Sequence, residues 1–100
     1  MNEKFLEIIN YYGARPQLKY LQSEVFELNE AIIEAEEFKK FNDRYNIFNF
    51  QNIAEEIADV VVMLKQFQHY YNISDEQIME NIDYKVERQL QRIKEQKNGN

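Results

Sequence analysis

Two glycines and one proline are the only strong backbone breakers in these 100 residues. With so little punctuation the chain must run in long regular elements. Leu, Ile, Glu, Gln and Lys are abundant, so those elements should be helices. The first is expected from about Asn2 to Tyr12, where Phe5, Ile8, Ile9 and Tyr12 follow the i, i+3, i+4, i+7 rule. Gly13 ends it, and Pro16 suits the first turn of a second helix reaching about Lys39. Leu18, Leu21, Val25, Leu28 and Ile32 make the apolar seam of that helix, in a nearly heptad pattern.

Lys40 to Asn49 holds three Asn, one Asp and three aromatics, and reads as a loop or a broken short helix. A third helix is expected from about Phe50 to Tyr71, with Ile53, Ile57, Val60, Val61, Leu64 and Phe67 turned inward. Asn72-Ile73-Ser74 interrupts it. Ser74 with Gln77 is a capping-box signature, and Asp75 and Glu76 suit the positive start of a fourth helix. That helix should run to about Gln96, with residues 97–100 frayed. There is no repeat or low-complexity segment. The expected architecture is all-α, a four-helix bundle-like module forming a single domain over residues 1–100.

Hydrophobic residues make up 44% of the chain, enough to fold. A net charge of −6 argues against binding nucleic acid or an anionic membrane. It leaves room for a phosphorylated small molecule if cations lie between. The absence of cysteine excludes disulfides, thiolate metal sites and cysteine nucleophiles. No signal-peptide pattern and no apolar run of about 18 residues is present, so a cytoplasmic location is expected.

The chemistry is carried by two acidic pairs, Glu24-Val25-Phe26-Glu27 and Glu56-Ile57-Ala58-Asp59. Residues three apart on a helix lie roughly 5–6 Å apart at Cβ and point the same way. Each pair can hold a hard cation through oxygen ligands, and two facing helices would bring all four together. With Leu21 as the angular reference, Glu24 and Glu27 fall about 60° and 120° to one side, beside Gln17 and Ala31. With Ile57 as reference, Glu56 and Asp59 share a flank with Asn52 and Met63. Glu55 lies further round, which favours Glu56 as the ligand and leaves Glu55 as an accessory base or a surface charge. On the fourth helix Asn81, Lys85, Arg88 and Arg92 fall in one strip about 60° wide. Glu80, Asp83, Glu87 and Glu95 lie off it. A basic strip with an acidic pocket suits a ligand carrying several phosphates.

Blander readings apply to each feature. A single Glu-x-x-Glu in a Glu-rich helix is usually a solvated face, and a basic stripe commonly pairs with nearby glutamates. His69, the only histidine, sits near the C-terminal end of the third helix, where it suits the dipole better than a ligand role. A single histidine also removes di-iron carboxylate bundles, which need Glu-x-x-His twice. Tyr11, Tyr12, Phe41, Tyr45, Phe48 and Phe50 read as core or subunit contacts, with base stacking the sharper alternative. No Walker loop, nucleophile elbow or glycine-rich phosphate loop is present. Metal and side chains must therefore do the phosphate recognition.

Taken together these residues resemble the MazG-like all-α nucleoside triphosphate pyrophosphohydrolases, a group related to the dimeric dUTPases. The resemblance covers roughly residues 10 to 95. Glu24, Glu27, Glu56 and Asp59 match the hallmark Glu-x-x-Glu, spacer, Glu-x-x-Asp. The stretch Gly13 to Gln17 looks like the opening segment of the family, and Tyr84 to Ile93 looks like its basic helix. Ser23 departs from the pattern, standing where many members carry another Glu.

The resemblance implies cleavage of a nucleoside triphosphate between its α and β phosphates, giving a monophosphate and pyrophosphate. It implies Mg2+, with Mn2+ as a substitute, held by Glu24, Glu27, Glu56 and Asp59, which would also be the catalytic groups. Lys85, Arg88 and Arg92 would bind phosphate, with Gln17, Asn52, Glu55 and Asn81 as accessory positions. Assembly as a homodimer or homotetramer is implied too, with the Phe41 to Phe50 segment as the expected contact. Two other readings compete. One is a non-catalytic helical module binding nucleotides or proteins on the same scaffold. The other is a plain helical assembly protein with surface acids.

Overall fold

A computed structural model describes residues 2–41 and 51–99, and every described element is helical. The helices are α1 (Asn2–Tyr12), α2 (Ala14–Phe41), α3 (Gln51–Tyr70) and α4 (Asp75–Asn98). The chain divides into two compact units, Met1–Tyr70 and Tyr71–Asn100. The expected loop from Lys40 to Asn49, and with it the Phe41 to Phe50 contact segment, falls almost wholly outside the described residues.

Gly13 separates α1 from α2 by taking a φ of +96°, a conformation that side-chain-bearing residues rarely adopt. Its N–H donates to the Ile9 carbonyl at 2.7 Å, closing α1, and its carbonyl accepts from the Gln17 N–H at 3.2 Å, opening α2. Pro16 sits in the first turn of α2, where its missing N–H leaves no intrahelical bond unmade.

In the first unit α2 packs chiefly on α3, and α1 lies mainly on α3. Gln17 meets Gln66, while Glu24 and Glu27 meet Glu56, so α2 and α3 run antiparallel. Phe5 stacks on His69 with ring centroids 5.8 Å apart, which ties the start of α1 to the end of α3. His69 is half-buried in that stack, away from the acidic residues in sequence and in contact.

The faces that pack are not those the apolar seams favour. On α2 the buried residues are Gln17, Glu24, Ala31 and Ala35, with Leu21 and Leu28 half-buried. That strip is turned about 40° from Leu21 towards the acidic flank. Leu18, Val25 and Ile32 are left exposed. On α3 the packed strip runs through Ile53, Glu56, Val60, Met63 and Phe67, about 80° from Ile57 on the acidic side. Ile57, Val61 and Leu64, all expected inside, are exposed at 46%, 44% and 51%. Both helices have rolled the same way, carrying carboxylates inward and aliphatic side chains outward.

The second unit holds α4. Ser74 is its N-cap, accepting from the Gln77 N–H at 3.1 Å, while the Gln77 side chain accepts from the Ser74 N–H at 2.9 Å. This is the capping box read from the sequence. The turn before it places Asn72 at a φ of +56°, a conformation asparagine tolerates better than most residues. No residue of α4 is buried.

Candidate metal centre

Glu24 and Glu27 leave α2 one turn apart, and Glu56 comes from the first half of α3. The inward roll of both helices brings one carboxylate oxygen from each of the three within 4.8 Å of the others. Glu24 is 7% exposed, Glu56 half-buried and Glu27 exposed, so the cluster grades from the helix interface to solvent. Asp59, the fourth expected ligand, is exposed and lies outside this three-carboxylate cluster, although it is near enough to influence Glu24. Of the two adjacent glutamates on α3, Glu56 joins the cluster and Glu55 is exposed beside it.

The electrostatics are strained in one direction. Burial pushes the Glu24 carboxyl above its ordinary value, and the charges of Glu27, Asp59 and Glu56 push it the same way, as does the hydrogen bond to Asp59. Burial also raises Glu56, followed by Glu27, Asp59 and Glu55. One oxygen of each, Glu24 Oε2 and Glu56 Oε2, is sealed from solvent with no hydrogen-bond partner among the described residues. An ionised carboxylate buried without a partner is strongly disfavoured. A cation held by the three carboxylates would offset the repulsion among them. The donor set is all oxygen, which suits a hard cation and could hold a metal ion.

The remaining expected site residues fall in different settings. Gln17 is buried, and its Nε2 donates to Gln66 Oε1 at 2.8 Å. Asn52 is exposed at the start of α3. In the second unit Lys85, Arg88 and Arg92 are exposed along α4, with the Arg88 guanidinium 5.6 Å from the Tyr84 ring centroid. Asn81 is occupied locally, its Nδ2 donating to the Gln77 carbonyl at 2.8 Å. Gln66 was not singled out by spacing. Its signal was faint, a glutamine seven residues beyond Asp59 and so on nearly the same face of α3.

No protein-family model, curated protein or solved structure matches this chain.

Proposed function

We propose that this protein is a metal-dependent nucleoside triphosphate pyrophosphohydrolase of the MazG-like all-α kind. The observation that carries the reading is that Glu24 and Glu56, each with a sealed oxygen lacking a partner among the described residues, converge with Glu27 from a second turn of α2. A merely solvated acidic face would leave those oxygens in water. The resemblance around Glu24, Glu27, Glu56 and Asp59 supplies the reaction.

In this reading Glu24, Glu27 and Glu56 hold magnesium, with Asp59 as a further ligand. The bound ion would polarise the phosphates and make the attacking water more acidic. Glu27, the most solvent-accessible of the three clustered carboxylates, accepts the proton of that water. The water oxygen forms a bond to the α phosphorus as the bond to the bridging oxygen breaks, and pyrophosphate departs. The resemblance implies that Lys85, Arg88 and Arg92 would offset phosphate charge. We assign the protein to the cytoplasm, in keeping with a nucleotide substrate. No described helix is long and apolar enough to cross a membrane.

Assembly with a second copy belongs to the same proposal. The aliphatic face of Leu18, Val25 and Ile32 on α2, with Ile57, Val61 and Leu64 on α3, is exposed in the single chain. A small domain gains core by covering such a face with its own symmetric copy.

The deciding assay incubates purified protein with a panel of ribo- and deoxyribonucleoside triphosphates, with and without magnesium, and measures monophosphate and pyrophosphate together. Equimolar release that requires magnesium is expected. Release of inorganic phosphate alone, or no product from any nucleotide, rejects the proposal.

A further inference from the structure

Gln17 and Gln66 are 7% and 1% exposed and bond each other between α2 and α3. Gln17 Nε2 donates to Gln66 Oε1 at 2.8 Å, and Gln66 Nε2 donates to the Val62 carbonyl at 3.3 Å. Two buried amides gain little over two apolar side chains of the same shape, because their hydrogen bond replaces bonds to water. A buried polar pair can instead decide which geometry forms, as one Asn does in a coiled coil.

From this bond the antiparallel register of α2 on α3 can be counted. Seven residues on along α2 and seven back along α3, Glu24 stands opposite Asp59. Ten residues from the bond, Glu27 stands opposite Glu56. All four acids are in step with the glutamine pair, and three of them converge within 4.8 Å.

The apolar contacts do not select that register. Leu21, Leu28 and Ala35 on α2 repeat every seven residues, and so do Ile53, Val60 and Phe67 on α3. All six are buried or half-buried. Sliding one helix past the other by a heptad, about 10 Å, sets the same rows against each other. It also takes Glu24 away from Asp59 and Glu27 away from Glu56. The carboxylates oppose their own alignment, since each disfavours ionisation of its neighbours. Without a cation their repulsion favours a slip, and the amide bond resists it. The stack of Phe5 on His69 resists it too, from the end of α3 distant from the acids.

We propose that Gln17 and Gln66 are a positioning pair. Their bond fixes the register of α2 on α3 and so gathers the carboxylates of Glu24, Glu27 and Glu56 before a cation binds. The inference rests on the metal-site reading for what the alignment serves, but the register is measured without metal.

The test replaces both amides by a similar apolar shape, Gln17→Met with Gln66→Met. The chain has no cysteine, so Gln22→Cys and Ala58→Cys, at exposed positions, put one spin label on each helix. Pulsed electron paramagnetic resonance, with labelled chains diluted in unlabelled protein and chelator present, reads the distance within one chain. The protein with both glutamines should give one narrow distance. The double Met variant should give a broadened distribution, or one displaced by at least a helical turn, about 5 Å. Its circular dichroism should stay helical and its Tm should not fall. Its affinity for Mn2+ should weaken at least about tenfold, and saturating Mn2+ should restore the narrow distance. Met63→Leu, a volume-conserving change on the same strip of α3, should leave distance and affinity unchanged.

If the double variant does not fold, Gln17→Met alone cuts the bond while Gln66 keeps the Val62 carbonyl, and the same displacement and weakening are expected of it. A narrow, unshifted distance in the folded Met variant overturns the register role, whatever its Tm or metal affinity. Displacement with unchanged Mn2+ affinity overturns the positioning of the carboxylates. A wild type that binds no Mn2+ rejects the metal-site reading, while the distances still decide the register.

Discussion

At the residue scale the decisive feature is that Glu24 is both buried and surrounded by like charge. Glu24→Gln keeps the shape and removes one charge. Without metal, that variant should melt at a higher temperature than the wild type, because repulsion with Glu27, Asp59 and Glu56 is relieved. It should also lose the stabilisation that magnesium gives the wild type, which for one site at a hundredfold excess over Kd is about 2.7 kcal/mol. Chemical denaturation with chelator and with magnesium measures both effects. A variant that melts lower without metal, or keeps the magnesium shift, would remove Glu24 from the site.

The pH dependence follows from the same two residues. Glu24 and Glu56 are raised above their ordinary value of 4.5 in the folded protein. Between 4.5 and the raised values the folded chain therefore binds more protons than the unfolded chain. Stability in the absence of metal should rise as pH falls through that window, and sit on its lower level above it. This is opposite in sign to the behaviour of a salt-bridged carboxylate. Urea titrations across the window check it, and saturating magnesium should flatten the profile.

At the element scale the boundary between α1 and α2 depends on one backbone conformation. A Cβ at Gly13 would meet Pro16 Cδ at 3.5 Å, which is ordinary contact, so space is not the constraint. The φ of +96° is. Gly13→Ala should destabilise the first unit by about 1–2 kcal/mol through that conformation. Gly13→Asn should be milder, since asparagine tolerates positive φ better. Equilibrium denaturation of the pair distinguishes this from a packing effect, which would penalise the larger residue more.

The helices themselves were legible because their punctuation is local. Ser74 and Gln77 form their box within one turn, and Gly13 and Pro16 act within four residues. The packing faces were less legible. Leu18, Val25 and Ile32 are as apolar as any core triad, and nothing in their spacing reveals that α2 packs on a strip containing Gln17 and Glu24.

At the scale of the whole molecule, the exposed aliphatic residues on α2 and α3 bear on assembly. Under the proposal of a second copy, wild-type protein should sediment as a dimer or a dimer of dimers. Val25→Asp should shift it to the monomer mass while far-UV circular dichroism stays helical, because Val25 is 47% exposed in the single chain. A wild-type protein of monomer mass at all accessible concentrations would discard the assembly. Its loss would leave the carboxylate cluster intact, since Glu24, Glu27 and Glu56 all come from one chain.

Helix content, helix boundaries and the presence of four regularly placed acids were determined by the sequence alone. Each depends on interactions within a few residues, where residue type and spacing are sufficient. Helical spacing alone also sets Glu56 nearer the packed face of α3 than Glu55. What only the tertiary structure decided was the roll of α2 and α3 about their own axes. That roll depends on two helices 49 residues apart at their glutamine pair. It moved Glu24 from the border of the core into it, joined three carboxylates within 4.8 Å, and opened a cavity beside Gln17. Long-range packing chose a polar seam where the local pattern pointed to an apolar one; the two amides bond each other across it, while the facing carboxylates repel and oppose it in the absence of a cation.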